Sequence, residues 1–367
     1  MPGVLPSVST LAPSAVRLLP YLSAMLITAD LPGVQGRISE RSAEEVLAKQ
    51  PANTGDHWWL RIGRTGLSTN QVRAAVARTA HVPEDLVSCA GTRDRTMRLV
   101  QWFSVPAAAV DNPGALGGAG AMGKMRVLEI TRSHKPVEEA TVAGLRYKLK
   151  ILGAAAGDGY RRAKTIMDRL RRQGAPNRIG IERMGPEGSL ARYGQIMLTG
   201  GRLPASARGE PGVCLSAVQA WLFNRHLDAR ITDGLLHRCV PGEVMRGSNG
   251  QLFVAEDAEA AQKRLDSFEC VQMGPLFGKG MAPAEGIAAE RELATLAGLD
   301  LDAGKVIRLH GDRRPLRVQP TQTIVDLTGK DLILEFVLPV ETYLGSVLDE
   351  IVRSTEKAIP EGEEGDA

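Results

Sequence analysis

A chain of 367 residues, 43% apolar and 24% charged, holds enough apolar material for a large core. Wholesale disorder is excluded, and two domains are expected at roughly 100 to 200 residues each. The net charge of only +3 says little about partners, yet 12 Lys or Arg against 4 Asp or Glu between Thr141 and Arg192 leave about +8 there, a natural match for a polyanion.

In chain order, residues 1 to about 20 read as a loose extension. Four prolines break them, and they hold neither a basic head nor an apolar run of about 18 residues, so neither an export signal nor a membrane span is expected. "HWWLRIGR" predicts a strand. "STNQVRAAVARTA" predicts a Ser- or Thr-capped helix with Val72, Ala75, Val76 and Thr79 at helical spacing. "LVQWFSVP" predicts a second strand closing at Pro106, which leaves the residues between in a loop, where functional groups are usually held.

From Asp111 to Lys124 the chain reads "DNPGALGGAGAMGK", in which Gly118, Gly120 and Gly123 satisfy GxGxxG and Gly118 to Lys124 satisfies GxxxxGK. Both motifs need a preceding strand and a following helix, whereas this stretch follows Asn-Pro-Gly and precedes the strand-like "MRVLEIT". It is read as a flexible loop. "YKLKILGAAAGDGYRRAKTIMDRLRRQGAP" then predicts a basic strand, a small-residue turn and a helix with Arg162, Arg169 and Arg172 as its basic face. A turn follows at "APNRIGIERMG", then a helix at "LSAVQAWLFNRHLDARI", a Gly-rich region at "EVMRGSNGQLFVAED" and a second helical stretch ending "ELATLAG". Strands at "LRVQPTQTIVDL" and "DLILEFVLP", a short helix at "SVLDEIVRS" and an acidic, Gly-rich tail complete the chain. Strands and helices do not alternate regularly, so the class is α/β or α+β.

Few residues can carry chemistry. The four cysteines form no CxxC pair, which fits a reducing cytoplasm, and the six histidines form no HxH or HExxH pattern, so no metal site is expected. No GxSxG turn exists, and Cys89 reads as core filler. That leaves "SCAGTRDRTMRLVQWFSV", where Asp94 stands between Arg93 and Arg95. Two guanidinium groups nearby would favour the charged carboxylate, a nucleophile or base, and would also attract phosphate. The plain alternative is a surface salt bridge between Asp94 and either arginine.

"AGTRDRTMRLVQWFSV" resembles the catalytic signature of the TruD family of tRNA pseudouridine synthases, with Asp94 on the catalytic aspartate and Gln101 and Trp102 also in place. Further segments match in order, among them "ITADLPGVQGRI", "KLKILGAAAGD", "PNRIGIERMG", "MGPLFGKGM", "RRPLRVQP" and "LILEFVLP", so the resemblance covers roughly residues 21 to 353. It implies an α+β protein. A pseudouridine synthase core of mixed β-sheet and flanking helices would occupy residues 21–185 and 308–355, interrupted by a family-specific α/β insertion at 186–307, with 356–367 a disordered acidic tail. The implied reaction detaches uracil from ribose, turns it and rejoins it through carbon five, with neither metal nor organic cofactor. The implied partner is RNA, most often tRNA at uridine 13, met by a monomer in the cytoplasm. Asp94 would be catalytic, with Arg93, Arg95, Arg178 and Arg183 holding the backbone of an extruded nucleotide, Tyr160 offering a stacking face, and Asp158 and Asn177 beside them.

Several positions depart from the family pattern. Arg93 replaces a lysine, and "GDGY" puts Asp158 and Tyr160 where asparagine and phenylalanine are usual. "SERSAEEV", Ser39 to Val46, lacks the lysine and phenylalanine of an early family motif, and Ile179 and Met184 replace aromatic residues. Two further readings stay open: the same chemistry on another RNA, and a protein that binds or folds RNA without catalysis.

Overall fold

The computed structural model describes residues 26–118, 124–155, 157–204 and 210–352, so the expected N-terminal extension and acidic tail lie outside the described residues. The chain forms two compact units: 31–172 with 319–341 and the C-terminal end, and 173–318 with the N-terminal end and 342–350.

The first unit opens with β1 (Arg37–Leu47) and β2 (His57–Arg64), followed by α1 (Thr69–Ala80). Ser68 caps α1, as the sequence predicts, Gln71 closes a capping box by accepting the Ser68 backbone N–H, and the apolar stripe of Val72, Ala75 and Val76 is buried. Next come β3 (Ser88–Cys89), β4 (Arg98–Pro106), β5 (Met125–Ser133), β6 (Val142–Leu152) and α2 (Gly159–Gln173). In α2, Ala163, Ile166, Met167 and Leu170 are buried. The exposed basic residues of α2 are Arg161, Lys164, Arg171 and Arg172, while Arg162 and Arg169 are half-buried, a correction to the basic face expected from spacing.

Between residues 173 and 318 the chain builds the second unit from β7 (Ala175–Pro176), α3 (Ser189–Thr199), α4 (Pro211–Thr232), β8 (Val244–Gly247), β9 (Leu252–Val254), α5 (Ala258–Asp266), β10 (Cys270–Leu276), α6 (Gly286–Ala294), α7 (Ala303–Val306), β11 (Asp312–Pro315) and β12 (Arg317–Val318). The Gly-rich stretch around Ser248–Gly250 is the turn of the β8–β9 hairpin, with Gly250 at φ +81°. Its short strands carry too little periodicity to announce themselves. The four-stranded order is β11-β10-β8-β9, and a core of Trp221, Leu222, Phe223 and Leu227 from α4 fills the unit. The chain then continues with β13 (Thr321–Thr328) and β14 (Asp331–Pro339), and α8 (Gly345–Ile351) is the last element among the described residues.

An eight-stranded mixed sheet organises the first unit, in the order β13-β14-β6-β1-β4-β2-β5 with β3 beside β4. Only β1 and β4 run parallel; the other pairs are antiparallel. Register sets the two faces, because side chains alternate along each strand. Ala43 of β1 lies opposite Leu99 and Tyr147, and Arg64 of β2 opposite Leu99. One face therefore collects Glu45, Arg64, Leu99, Gln101, Phe103, Tyr147 and Leu149, all buried. The opposite face carries Ser42, Glu44, Arg98, Arg146 and Lys148, open or half-open to water, and, toward its other end, Trp59, Trp102 and Ser104, which are buried.

Two histidines of the second unit, His226 buried and His237 half-buried, should make stability pH-dependent. Burial, reinforced by nearby arginines, pushes His226 down to about 3 and His237 down to about 4. Both are neutral when folded and take up protons on unfolding below pH ~6.5. Stability is then complete above that pH and falls toward pH 4, by up to about 1.4 kcal/mol per pH unit per histidine. His226→Gln, measured by urea unfolding at pH 7.5 and 5, should shrink that difference; an equal pH effect in the variant would contradict it.

Candidate active site

The loop from Ala90 to Met97 joins β3 to β4 at the middle of the sheet. Gly91 turns it with φ +79°, a conformation that a side chain would strain. The Gln101 amide, fully buried, donates to the Gly91 carbonyl at 3.0 Å and accepts from Arg64 Nη2 at 3.1 Å. Thr69 Oγ1, at the start of α1, accepts from the Arg93 backbone N–H at 3.1 Å. Trp102 packs against Trp59 with ring centroids 5.9 Å apart. Gln101 and Trp102 thus hold the loop rather than present themselves to a ligand.

Arg93 does not pair with Asp94. Its guanidinium reaches Glu45 Oε1 at 3.0 Å, and the Glu45 side chain is 0% exposed. The second carboxylate oxygen of Glu45 accepts the Trp102 backbone N–H at 2.8 Å. Burial pushes the Glu45 carboxyl up, and the Arg93 charge is the largest influence pulling it back. A buried carboxylate on an otherwise polar strand thereby fixes the arginine next to Asp94.

Asp94 itself is exposed. Its Oδ1 accepts the Thr96 backbone N–H at 2.8 Å, and both oxygens lie 2.8 Å from Thr96 Oγ1. No ion pair joins it to Arg93 or Arg95 among the described residues, so the surface salt bridge weighed from sequence is absent. Arg95 is exposed with no ion partner among the described residues. An aspartate held only by a neighbouring threonine keeps oxygen lone pairs for an incoming group.

Tyr147, which sequence reasoning passed over, faces the same ground. It is 3% exposed and packs on Phe336 with centroids 5.9 Å apart. Burial raises its phenol to about 12, with Arg93 lowering and Asp94 raising it, so the ring senses both charges and stays protonated at neutral pH. Its alternation in "LRYKLKIL" was the available signal: an aromatic on the buried face of a strand next to the loop.

Tyr160 and Asp158 have a different setting. Gly159 stands at the start of α2 so close to the Ala154 carbonyl that an added Cβ would meet its oxygen at 1.7 Å, and Gly157 adopts φ +60°. "GDGY" is therefore a tight strand-to-helix turn. Asp158 pairs with Arg161 at 2.7 Å, and Tyr160 is half-buried, with no hydrogen bond or ring contact among the described residues.

Asn177, Arg178 and Arg183 belong to the second unit. Asn177 is fully buried; its Nδ2 donates to the Pro315 carbonyl and its Oδ1 accepts from Arg314 Nη2, both at 2.9 Å. Its amide is engaged within the protein. Arg178 forms a two-pronged pair with Asp228, and the neighbouring Asn224 amide clamps the backbone N–H and carbonyl of Ile179, each at 2.9 Å. Arg183 donates from Nε to the Tyr343 hydroxyl at 2.9 Å. Of these three, only Arg183 is substantially presented outward, as a residue of the turn Ile181–Met184. Among the described residues no group of three or more potential metal ligands gathers, and no helix is long and apolar enough to cross a membrane.

A mixed sheet with an exposed carboxylate on a loop over its centre, a buried protonated tyrosine and arginines nearby can supply a base or nucleophile and attract anionic groups. Comparison with known proteins narrows this. The model of the family tRNA pseudouridine synthase D (TruD) matches residues 22–201 and 212–351. tRNA pseudouridine synthase D of Anaeromyxobacter sp. (strain Fw109-5) is 33% identical over 356 residues, covering 93% of this chain and 99% of that protein. Its counterpart in Thermus thermophilus is 30% identical over 335 residues, 89% and 91% of the two chains. The crystal structure of TruD from Methanosarcina mazei superposes with a TM-score of 0.66 at 18% identity, covering 89% of this chain and 95% of that one, which shows the shared fold. The chain belongs to the TruD family of tRNA pseudouridine synthases.

Glu45→Gln tests the support beneath the loop. It keeps shape but leaves a mostly buried Arg93 without its counter-charge, so denaturant unfolding should show a loss of about 3 kcal/mol. A change below about 0.5 kcal/mol, the usual effect of a surface substitution, would show that the pair supports nothing.

Proposed function

We propose that this protein is a tRNA pseudouridine synthase, an isomerase that converts uridine to pseudouridine, with uridine 13 of tRNA as its target and Asp94 as the catalytic group. The observation that carries the reading is the Asp94 loop: an unpaired, exposed carboxylate on a rigidly anchored turn, in a chain that shares its family signature. Uridine in structured RNA must first be unstacked and turned out, at a cost of a few kcal/mol. Arg95 is placed to attract a flanking phosphate, and Tyr160, half-buried with no ring contact among the described residues, offers the face on which the extruded base stacks, while Tyr147 stays packed on Phe336. Arg93 is a positioning residue, because its charge is committed to Glu45.

The second unit contains residues 186–307, which we read as the family insertion, with Arg183 at its border as a further backbone contact. Asn177 and Arg178 act there by holding "PNRIG" in shape. The reaction as read needs neither metal nor organic cofactor, and the protein works as a monomer in the cytoplasm.

Purified protein incubated with an unmodified tRNA transcript should form pseudouridine at position 13, undiminished by EDTA. Tyr160→Phe should retain activity within about threefold, whereas Tyr160→Ala should lose about ten- to hundredfold, the size of one base–aromatic stack. Equal activity in both variants would remove the ring from the site. A transcript bound but never modified would favour the RNA-binding alternative.

A further inference from the structure

The face of the sheet turned away from Glu45 and Tyr147 carries a groove of about 710 Å³. Two basic groups border it. On one flank stand Arg146, Lys148 and Lys150 of β6; on the other, Arg98, Lys124 and Arg126 from the starts of β4 and β5. The first flank is largely self-satisfied, since Lys148 pairs with Glu335 at 2.7 Å, Lys150 with Asp331 at 3.3 Å, and Arg146 donates to Gln322 at 2.6 Å. Such ladders across neighbouring strands stabilise a solvated sheet and need no ligand.

The second flank is different. Arg98, Lys124 and Arg126 are all exposed, and none has an acidic partner among the described residues. They converge because Arg64 lies opposite both Leu99 and Met125, so that Arg98, Thr65 and Lys124 close the next row at the end of the sheet. Thr65 N–H donates to the Lys124 carbonyl at 2.9 Å. Arg126 sits opposite Gly63, whose missing side chain leaves the floor between the strands open; a Cβ there would touch only Leu128, at 3.4 Å. Across two strand spacings the outer cations stand about 10 Å apart. Three uncompensated charges that close repel one another, a cost that a bound polyanion would relieve.

We infer that Arg98, Lys124 and Arg126 form a phosphate-holding surface for the RNA strand that flanks the target nucleotide, on the sheet face opposite Asp94. The position follows from the chain: Arg98 is four residues beyond Asp94, at the end of β4 where the loop enters, so a backbone leaving the Asp94 loop around that end of the sheet meets these cations first. Lys124, the last residue of the GxxxxGK string, thus serves an RNA phosphate rather than a nucleotide, since a strand and not a helix follows it. This surface rests on the tRNA reading above.

Arg98→Ala/Lys124→Ala/Arg126→Ala should weaken tRNA binding on the order of tenfold and flatten the dependence of log K on log salt by about 2 to 3. At saturating tRNA, kcat should stay within about twofold. The charge-preserving set Arg98→Lys/Lys124→Arg/Arg126→Lys should bind like wild type, which a merely structural role would not require. Gly63→Asp adds an opposing charge to the floor and should weaken binding on its own, independently of whether the triple variant folds. Unchanged affinity and slope in the triple variant, with wild type active, would overturn the surface while leaving the enzyme reading intact. Wild type that neither binds nor modifies tRNA would overturn both. Loss of poly-glutamate binding with intact tRNA affinity would reassign the patch to an acidic polypeptide and reject the proposal.

Discussion

Arg93 cannot neutralise two carboxylates at once, and its commitment to Glu45 decides how the rest of the site is built. A carboxylate taken fully out of water is tolerated only if paired and hydrogen-bonded. Glu45 obtains a guanidinium from the loop and an N–H from Trp102 on β4, so one residue of β1 fastens both ends of the segment that carries Asp94. Asp94 is left exposed, held by Thr96 alone. The electrostatic logic expected from the Arg-Asp-Arg triplet is thereby replaced by another: the neighbouring arginine anchors the loop from below, and the aspartate stays available above it.

That arrangement explains why the central strand is polar. β1 pairs with β6 along most of its length and with β4 at three positions, yet its sequence, RISERSAEEVL, buries only Ala43 and Glu45. Backbone hydrogen bonds on both sides, not apolar side chains, hold it in place. The same sheet divides its labour by face. The buried face stacks aliphatic and aromatic residues around Gln101 and Tyr147, and the open face carries charge.

Much of this fold was legible because the informative segments are strongly periodic or capped: a Ser cap marks α1, and alternation in "HWWLRIGR" and "DLILEFVLP" marks the two strands that lie one in from either edge of the sheet. β1 was not, since a strand defined by its neighbours' hydrogen bonds leaves no hydrophobic trace. The β8–β9 hairpin was obscured by its brevity. At the site, Asp94 could be found from its signature, but its partner could not: Glu45 lies 48 residues upstream of Arg93, and only the register of β1 brings them together. Tyr160 is legible through the family's motif, which reads "GDGY" here, and the steric closeness of Gly159 to Ala154 accounts for its turn; Tyr147, hidden in ordinary strand alternation, is buried where the charges of Arg93 and Asp94 act on its phenol. Asn177 and Arg178 carried polar groups in a rigid turn, and their neighbours on α4 and β11 consume them.

The account turns on Asp94 acting in chemistry rather than in binding. The direct measurement is a pseudouridine map of bulk tRNA from cells lacking this gene, complemented with wild type or with Asp94→Asn, alongside tRNA affinities of both purified proteins. The account predicts that position 13 is modified only with wild type while the variant binds tRNA within about threefold, because the amide keeps the shape and loses the charge. Full modification restored by Asp94→Asn would contradict it.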